Sequence, residues 1–266
     1  MKNASTRTAA DYREQARKAL RGRWESAVAP FILAILLVLF VPLVIGFILL
    51  FVMVDPSWTA LGILIGLALV SPMVVGYSYI SLRLVKSRKK ISSDQLGYAY
   101  RHCFGKSVLA CVILYLIAVG IVFVCSFAGG FLGQLIWSIL NVFFYLDVEN
   151  VIGLTVIALL IPGYVLLLRI SLGYAMFPYV MIEHPKMSVG EVLRASKEMM
   201  EGNRWRLFCL CFSFIGWYLL SVLSLGIGFL FLVPYMSASQ AAFYRDVARA
   251  NRRQHPFRGL FRRRSR

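Results

Sequence analysis

Pro30–Val54 reads PFILAILLVLFVPLVIGFILLFVMV, a run without one charged side chain, closed by Asp55-Pro56-Ser57. At about 1.5 Å per residue, a helix of this length covers the roughly 30 Å hydrocarbon core of a bilayer. It is too long for a signal-peptide core and no small-residue cleavage site follows it, so we expect it to stay as a membrane anchor. Residues 1–29 then read as part of the folded protein rather than as a leader to be discarded. Outward from this run, further apolar stretches occupy roughly 58–82, 107–128, 131–146, 151–182 and 207–243. With 59% apolar residues among 266 and a mean hydropathy of +0.73, the sequence is that of a multi-pass integral membrane protein, not of a soluble globule.

The charges between the runs carry the topology. The net charge is +17, and 28 of the 29 Lys and Arg residues fall in four intervals: 1–30, 83–106, 183–206 and 244–266. Only Arg169 lies elsewhere, and the interruptions at Asp55-Pro56 and Asp147-Val148-Glu149-Asn150 hold no basic residue. The positive-inside rule places the four basic intervals in the cytoplasm and the two acidic turns outside. We therefore expect an all-α, six-helix polytopic membrane protein with both termini in the cytoplasm. Its hairpins are 31–54 with 58–82, 107–128 with 151–182, and 207–224 with 228–243, the last broken around Leu225-Gly226-Ile227-Gly228. The run 131–146 is placed as a short outer-face or re-entrant helix, with Trp137 and Tyr145 at the interface; two added crossings are the alternative.

The cytoplasmic intervals resemble one another. Thr8-Ala9-Ala10-Asp11, Ser92-Ser93-Asp94-Gln95 and Ser188-Val189-Gly190-Glu191 each read as a hydroxyl N-cap with an acidic or amide side chain three residues later. Each is followed by an amphipathic stretch and then by a glycine, Gly22, Gly105 or Gly202, before a membrane run begins. We expect three helices lying in the cytoplasmic interface, each glycine allowing the turn into the bilayer, with Trp24 and Trp205 marking its depth. Pro72, Pro178 and Pro234-Tyr235 mark the return helices. The units read as 1–90, 91–187 and 188–246 of one membrane domain, with 247–266 as a basic cytoplasmic tail.

Three groups of residues carry a family resemblance: Ala16-Arg17-Lys18-Ala19-Leu20-Arg21-Gly22-Arg23-Trp24; Ser196 to Arg204; and Phe214-Ile215-Gly216-Trp217 with Pro234-Tyr235 and Ala242-Phe243-Tyr244. In them the chain resembles an uncharacterised family of bacterial multi-pass integral membrane proteins. It is also distantly similar to the membrane domain attached to some glycerophosphodiester phosphodiesterases. That domain is not the hydrolase, so the resemblance implies a membrane architecture and brings no catalytic residue or substrate.

Arg169 is the residue most in need of an explanation. An arginine at membrane depth costs several kcal/mol unless it is paired, hydrated or snorkelled. It is the candidate contact for an anionic lipid or solute, with Pro162-Gly163 and Pro178 able to turn it toward an interior cavity; structural snorkelling is the competing role. Gly22, Trp24, Gly105, Gly202, Trp205, Pro72, Pro178, Pro234 and Tyr235 read as interfacial or structural. No enzyme chemistry is expected. His102, His184 and His255 lack metal-ligand spacing, Glu183-His184 reads as a solvated boundary, and Cys103, Cys111, Cys125, Cys209 and Cys211 read as small buried side chains, so no cofactor or metal is implied. The arginine-rich tail comes with no recognition module, which argues against specific nucleic-acid binding. Anionic membrane lipids on the cytoplasmic face and a membrane-protein partner are the expected partners. The function read from these features is that of a membrane accessory, scaffold or lipid-interacting protein. A transporter of a small solute or lipid is the alternative.

Overall fold

The computed structural model describes residues 7–36, 57–87, 93–144 and 148–254. The described part is all-α, without a strand. Its helices are α1 (Ala9–Leu20), α2 (Trp24–Leu36), α3 (Ser57–Lys86), α4 (Tyr98–His102, entered through a 3-10 turn at Ser93–Gly97), α5 (Phe104–Phe144) and α6 (Val148–Tyr174). They continue with α7 (Phe177–Glu183), α8 (Val189–Met200), α9 (Arg204–Phe212), α10 (Ile215–Leu223) and α11 (Phe229–Gln254). Among the described residues, three stretches have the length and apolar composition to cross a membrane: Phe104–Ile139, Gly153–Glu183 and Arg204–Leu223. The Asp55-Pro56 turn, the cap residue Ser92, Asp147 and the tail beyond Gln254 lie outside the described residues.

Two of the three cap-to-glycine segments form the same device. Thr8 starts α1, its backbone N–H donating to Asp11 Oδ2 at 2.7 Å. Ser188 starts α8 with a reciprocal pair, Ser188 N–H to Glu191 Oε2 at 2.9 Å and Glu191 N–H to Ser188 Oγ at 3.3 Å. Gly22 and Gly202 end these helices at φ +73° and +79°, the left-handed conformation that a Cβ would strain. The middle segment differs. Its helical turn breaks at Cys103, and Gly105 is the second residue of α5 with no left-handed backbone, so it is not the expected turn glycine.

The chain forms two compact units, residues 1–111 with 173–266 and residues 112–172. In the first, α11 packs against α1, α3, α8, α9 and α10. Fully buried Ala238, Ala241 and Ala242 let these helices approach closely, and Ala16, Leu20, Met73, Ile80, Leu84 and Leu96 build the adjoining core with half-buried Tyr235. The apolar stripes of α1 (Tyr12, Ala16, Leu20) and α8 (Val192, Leu193, Met199, Met200) are buried inside this unit. They are therefore packed on the protein's own helices rather than laid on lipid as expected. Pro72 and Pro234 sit buried inside α3 and α11, and Pro178 opens α7 after a turn at 175–176.

The second unit is an antiparallel pair, α5 against α6. A Cβ on Gly129 would come within 2.7 Å of the Val156 backbone, and one on Gly163 within 2.6 Å of Cys125 Sγ. Thr155 Oγ1 donates to the Gly129 carbonyl at 3.1 Å across the same seam. Glycines here permit close helix contact, as small residues do in membrane bundles. This corrects the placement of 131–146, which is no separate re-entrant helix. Gly129-Gly130 does not break the chain, and α5 runs on unbroken through Phe144, about 60 Å in all.

Gly76 supplies a clear test of the first unit. A Cβ there would lie 2.2 Å from the Leu96 carbonyl oxygen, whereas Gly190 on α8 has nothing within 4 Å. Gly76→Ala should destabilise the protein by about 1–3 kcal/mol, and Gly190→Ala should stabilise it by about 0.5–1 kcal/mol. Thermal unfolding in lipid nanodiscs reads both signs.

Candidate functional site

Basic residues from all four charged intervals meet at one end of the first unit. The meeting point is Tyr244-Arg245-Asp246 on α11, whose successive side chains leave the helix about 100° apart and so reach three different neighbours. Asp246 takes the first group. The Tyr12 hydroxyl donates to its Oδ2 at 2.6 Å, Arg206 Nη2 lies 3.3 Å from the same oxygen and also donates to the Tyr12 hydroxyl, and Arg7 reaches Oδ1 at 3.6 Å. The Arg206 guanidinium lies over the Tyr12 and Phe243 rings. Arg206 and Asp246 keep only 18% and 11% of their side-chain surface exposed, so their attraction is less screened than a surface pair's.

Tyr244 turns to Glu183 at the end of α7, donating to Oε2 at 2.8 Å while Lys86 binds Oε1. Arg245 donates to the Val85 carbonyl at 2.6 Å. Arg23 donates to the Leu84 and Ser87 carbonyls at 3.0 and 2.7 Å, so two guanidinium groups cap the C-terminus of α3, whose last carbonyls have no partner within the helix. Burial lowers the Arg245 pKa from its ordinary value; Arg249 and Arg7 act in the same direction and Glu183 opposes them. A guanidinium titrates so high that it stays charged all the same. Lys106 holds the α7–α8 connection through the Pro185 and Met187 carbonyls at 2.7 and 3.0 Å.

Beside Glu183 lies a pocket of about 400 Å³ between α3 and α7, lined by Tyr79, Leu82, Arg83, Lys86, Ile182, Glu183 and His184. Arg83 lies 4.9 Å from the Tyr79 ring centroid, Tyr79 stacks on Tyr98 at 4.2 Å, and Tyr98 stacks on His102 at 4.6 Å. Arg83 and Lys86 are both exposed. The pocket therefore presents the Arg83 guanidinium, 3.5 Å from Gln95 Oε1, and the Lys86–Glu183 ion pair beside an apolar floor. That donor set suits a phosphate or carboxylate group carried on an apolar body.

The family model described as "Protein of unknown function (DUF975)" matches residues 1–251. The chain belongs to the DUF975 family. No curated protein and no solved structure matches it. The DUF975 match takes in every residue of the charged end, from Arg7 to Asp246.

The residues singled out in the sequence fall into separate places. Arg169 is exposed on α6, in the second unit. Gly163 faces Cys125 across the α5–α6 seam, and six residues further on the helix has turned about 240°, which carries Arg169 off that seam instead of into an interior cavity. Trp24 meets Phe231 edge to face at 6.0 Å, and Trp205 is exposed and stacked on Phe208. Tyr235 joins α11 to α1, its hydroxyl donating to the Arg13 carbonyl at 3.3 Å. Cys103 is buried, and burial pushes its thiol pKa up, with Lys106 opposing. The sequence offers Tyr12 as one residue of a weak apolar stripe and Asp246 as the one acid in the arginine-rich C-terminal interval, and nothing in it joins the two or singles out Arg206.

Removing the acid isolates the network. Asp246→Asn keeps the volume but leaves the half-buried Arg206 without its counter-charge, a loss of about 2–3 kcal/mol. Arg194→Met breaks only the exposed pair with Glu198 and should change stability by less than about 0.5 kcal/mol. Thermal unfolding of both variants in one detergent compares them directly.

Proposed function

We propose that this DUF975 protein is a multi-pass membrane accessory protein that holds anionic lipid headgroups against its charged end. The convergence of basic residues from all four intervals on one end of the first unit carries this reading. It supports a single orientation in a bacterial cytoplasmic membrane, with the charged end and both termini in the cytoplasm, where anionic headgroups attract Lys and Arg. The exposed apolar surface of the long helices supports lipid contact. In the most apolar windows of Phe104–Ile139 and Gly153–Glu183, 6% of the residues are buried.

The pocket beside Glu183 is the seat we assign to the headgroup. Arg83 supplies a planar fork of donors, Lys86 further N–H donors beside its pair with Glu183, and Tyr79, Leu82 and Ile182 the apolar wall along which an acyl chain leaves. No catalytic step enters this reading: Glu183, the one carboxylate beside a histidine here, is held by Lys86 and Tyr244.

Native mass spectrometry with phosphatidylglycerol and phosphatidylcholine tests the seat. A basic side chain near an anionic surface contributes about 1 kcal/mol, so Arg83→Gln should weaken phosphatidylglycerol retention roughly fivefold and leave phosphatidylcholine retention unchanged. Loss on Arg169→Gln with none on Arg83→Gln would move the seat to Arg169. No loss in either variant would reject headgroup binding at both.

A further inference from the structure

The turn between α10 and α11 is built of Leu223-Ser224-Leu225-Gly226-Ile227-Gly228, and no charged residue lies anywhere between Arg206 and Arg245. Leu225 is 95% exposed and Leu223 79%, and Leu225 holds φ at +53°. A turn in water would place Asn, Asp or Gly in that conformation and polar groups around it. Here the most exposed position of the turn is a leucine in a backbone conformation leucine disfavours.

The backbone of the turn is closed on itself. Every backbone N–H from Ser224 to Leu232 finds an acceptor inside the hairpin. They include Leu225 N–H to the Val222 carbonyl at 3.0 Å, Gly226 N–H to the Ser221 carbonyl at 3.0 Å and Gly228 N–H to Ser224 Oγ at 3.0 Å. The Ser224 hydroxyl is itself engaged with the Ser221 carbonyl at 2.9 Å. An irregular turn facing water has no need to satisfy all its donors internally, whereas a turn in hydrocarbon must. The tip is also narrow: a Cβ on Gly228 would come within 2.7 Å of Ser221 Cα.

The hairpin reaches less far than the apolar length of Arg204–Leu223 alone would allow, because that stretch is interrupted by a turn. Arg206 and Asp246 are tied to each other and to Tyr12, so they fix the polar base of α9 and α11 at one interface. From Arg206 to Leu223 a continuous helix would rise about 26 Å, and the turn at 213–214 shortens the path; from Phe229 to Tyr244 the rise is about 23 Å. Both fall short of the roughly 30 Å hydrocarbon core.

We infer that the α10–α11 turn ends inside the bilayer, its leucines in contact with acyl chains of the far leaflet, and that α9–α11 is a re-entrant hairpin rather than a pair of crossings. The inference rests on the membrane reading above and replaces the last two of the six crossings expected from the sequence. Nitroxide labels at Leu225→Cys, Phe127→Cys and Lys197→Cys, each in a chain whose five native cysteines are replaced by alanine, report depth in nanodiscs through collision with oxygen and with a water-soluble nickel complex. Phe127 is exposed on α5 and Lys197 lies on the charged face of α8. The label at Leu225 should match Phe127, with oxygen access and a loss of nickel access relative to Lys197. Nickel access at Leu225 but not at Phe127 would overturn the re-entrant hairpin while keeping the membrane protein; nickel access at both would overturn the membrane reading itself. Should the cysteine-free chain not fold, Leu225→Asp in the native chain serves instead. A roughly 100-fold fall in the folded-to-unfolded ratio in nanodiscs is expected for an acid placed in hydrocarbon. An unchanged ratio would overturn the inference.

Discussion

The carboxylate of Asp246 is the contact on which the charged end depends. It draws α1 through Tyr12, α9 through Arg206 and the start of the chain through Arg7 onto α11. Its neighbours on the same helix turn, Tyr244 and Arg245, tie in α7 and the end of α3. Small buried residues of α11 allow the close packing, but alanines give no direction. The side chains of Tyr244, Arg245 and Asp246 do, because their hydrogen bonds weaken steeply with misalignment.

The same arrangement explains how a strongly basic chain tolerates so many cations near one another. Arg23 and Arg245 are placed at the C-terminus of α3, where unpaired carbonyls and the negative end of the helix dipole favour positive charge. Lys106 does likewise for the α7–α8 connection. The basic intervals thus complete helix ends at the charged end of the first unit. Arg83 and Lys86 remain exposed beside a pocket, Lys86 in its pair with Glu183.

Much of the helical layout was legible because membrane runs, hydroxyl caps and a following glycine are local signals. Thr8 with Gly22 and Ser188 with Gly202 delimit α1 and α8, and the break at Leu225–Gly228 is a turn. What failed was inference across helices. Gly129-Gly130 looks like a breaker in one dimension and is a packing surface once Val156 stands opposite. The stripe on α8 has the same spacing whether its partner is lipid or protein, and the partner here is protein. At the site, Arg169 drew attention by standing alone in an apolar run. Asp246 stands out as a single acid among arginines, but which partner it takes is decided only by the packing of α1 and α9 on α11.

If Asp246 and its partners hold the charged end together as one body, opening should be cooperative. Hydrogen exchange in nanodiscs, comparing the native chain with Arg206→Met, follows this helix by helix, since each cooperative unit loses amide protection together. The amides of α1, α9 and the 240s of α11 should lose protection to the same extent, with α5 and α6 between 112 and 172 unchanged. Loss confined to α9, with α1 and α11 as protected as in the native chain, would contradict the role given to Asp246.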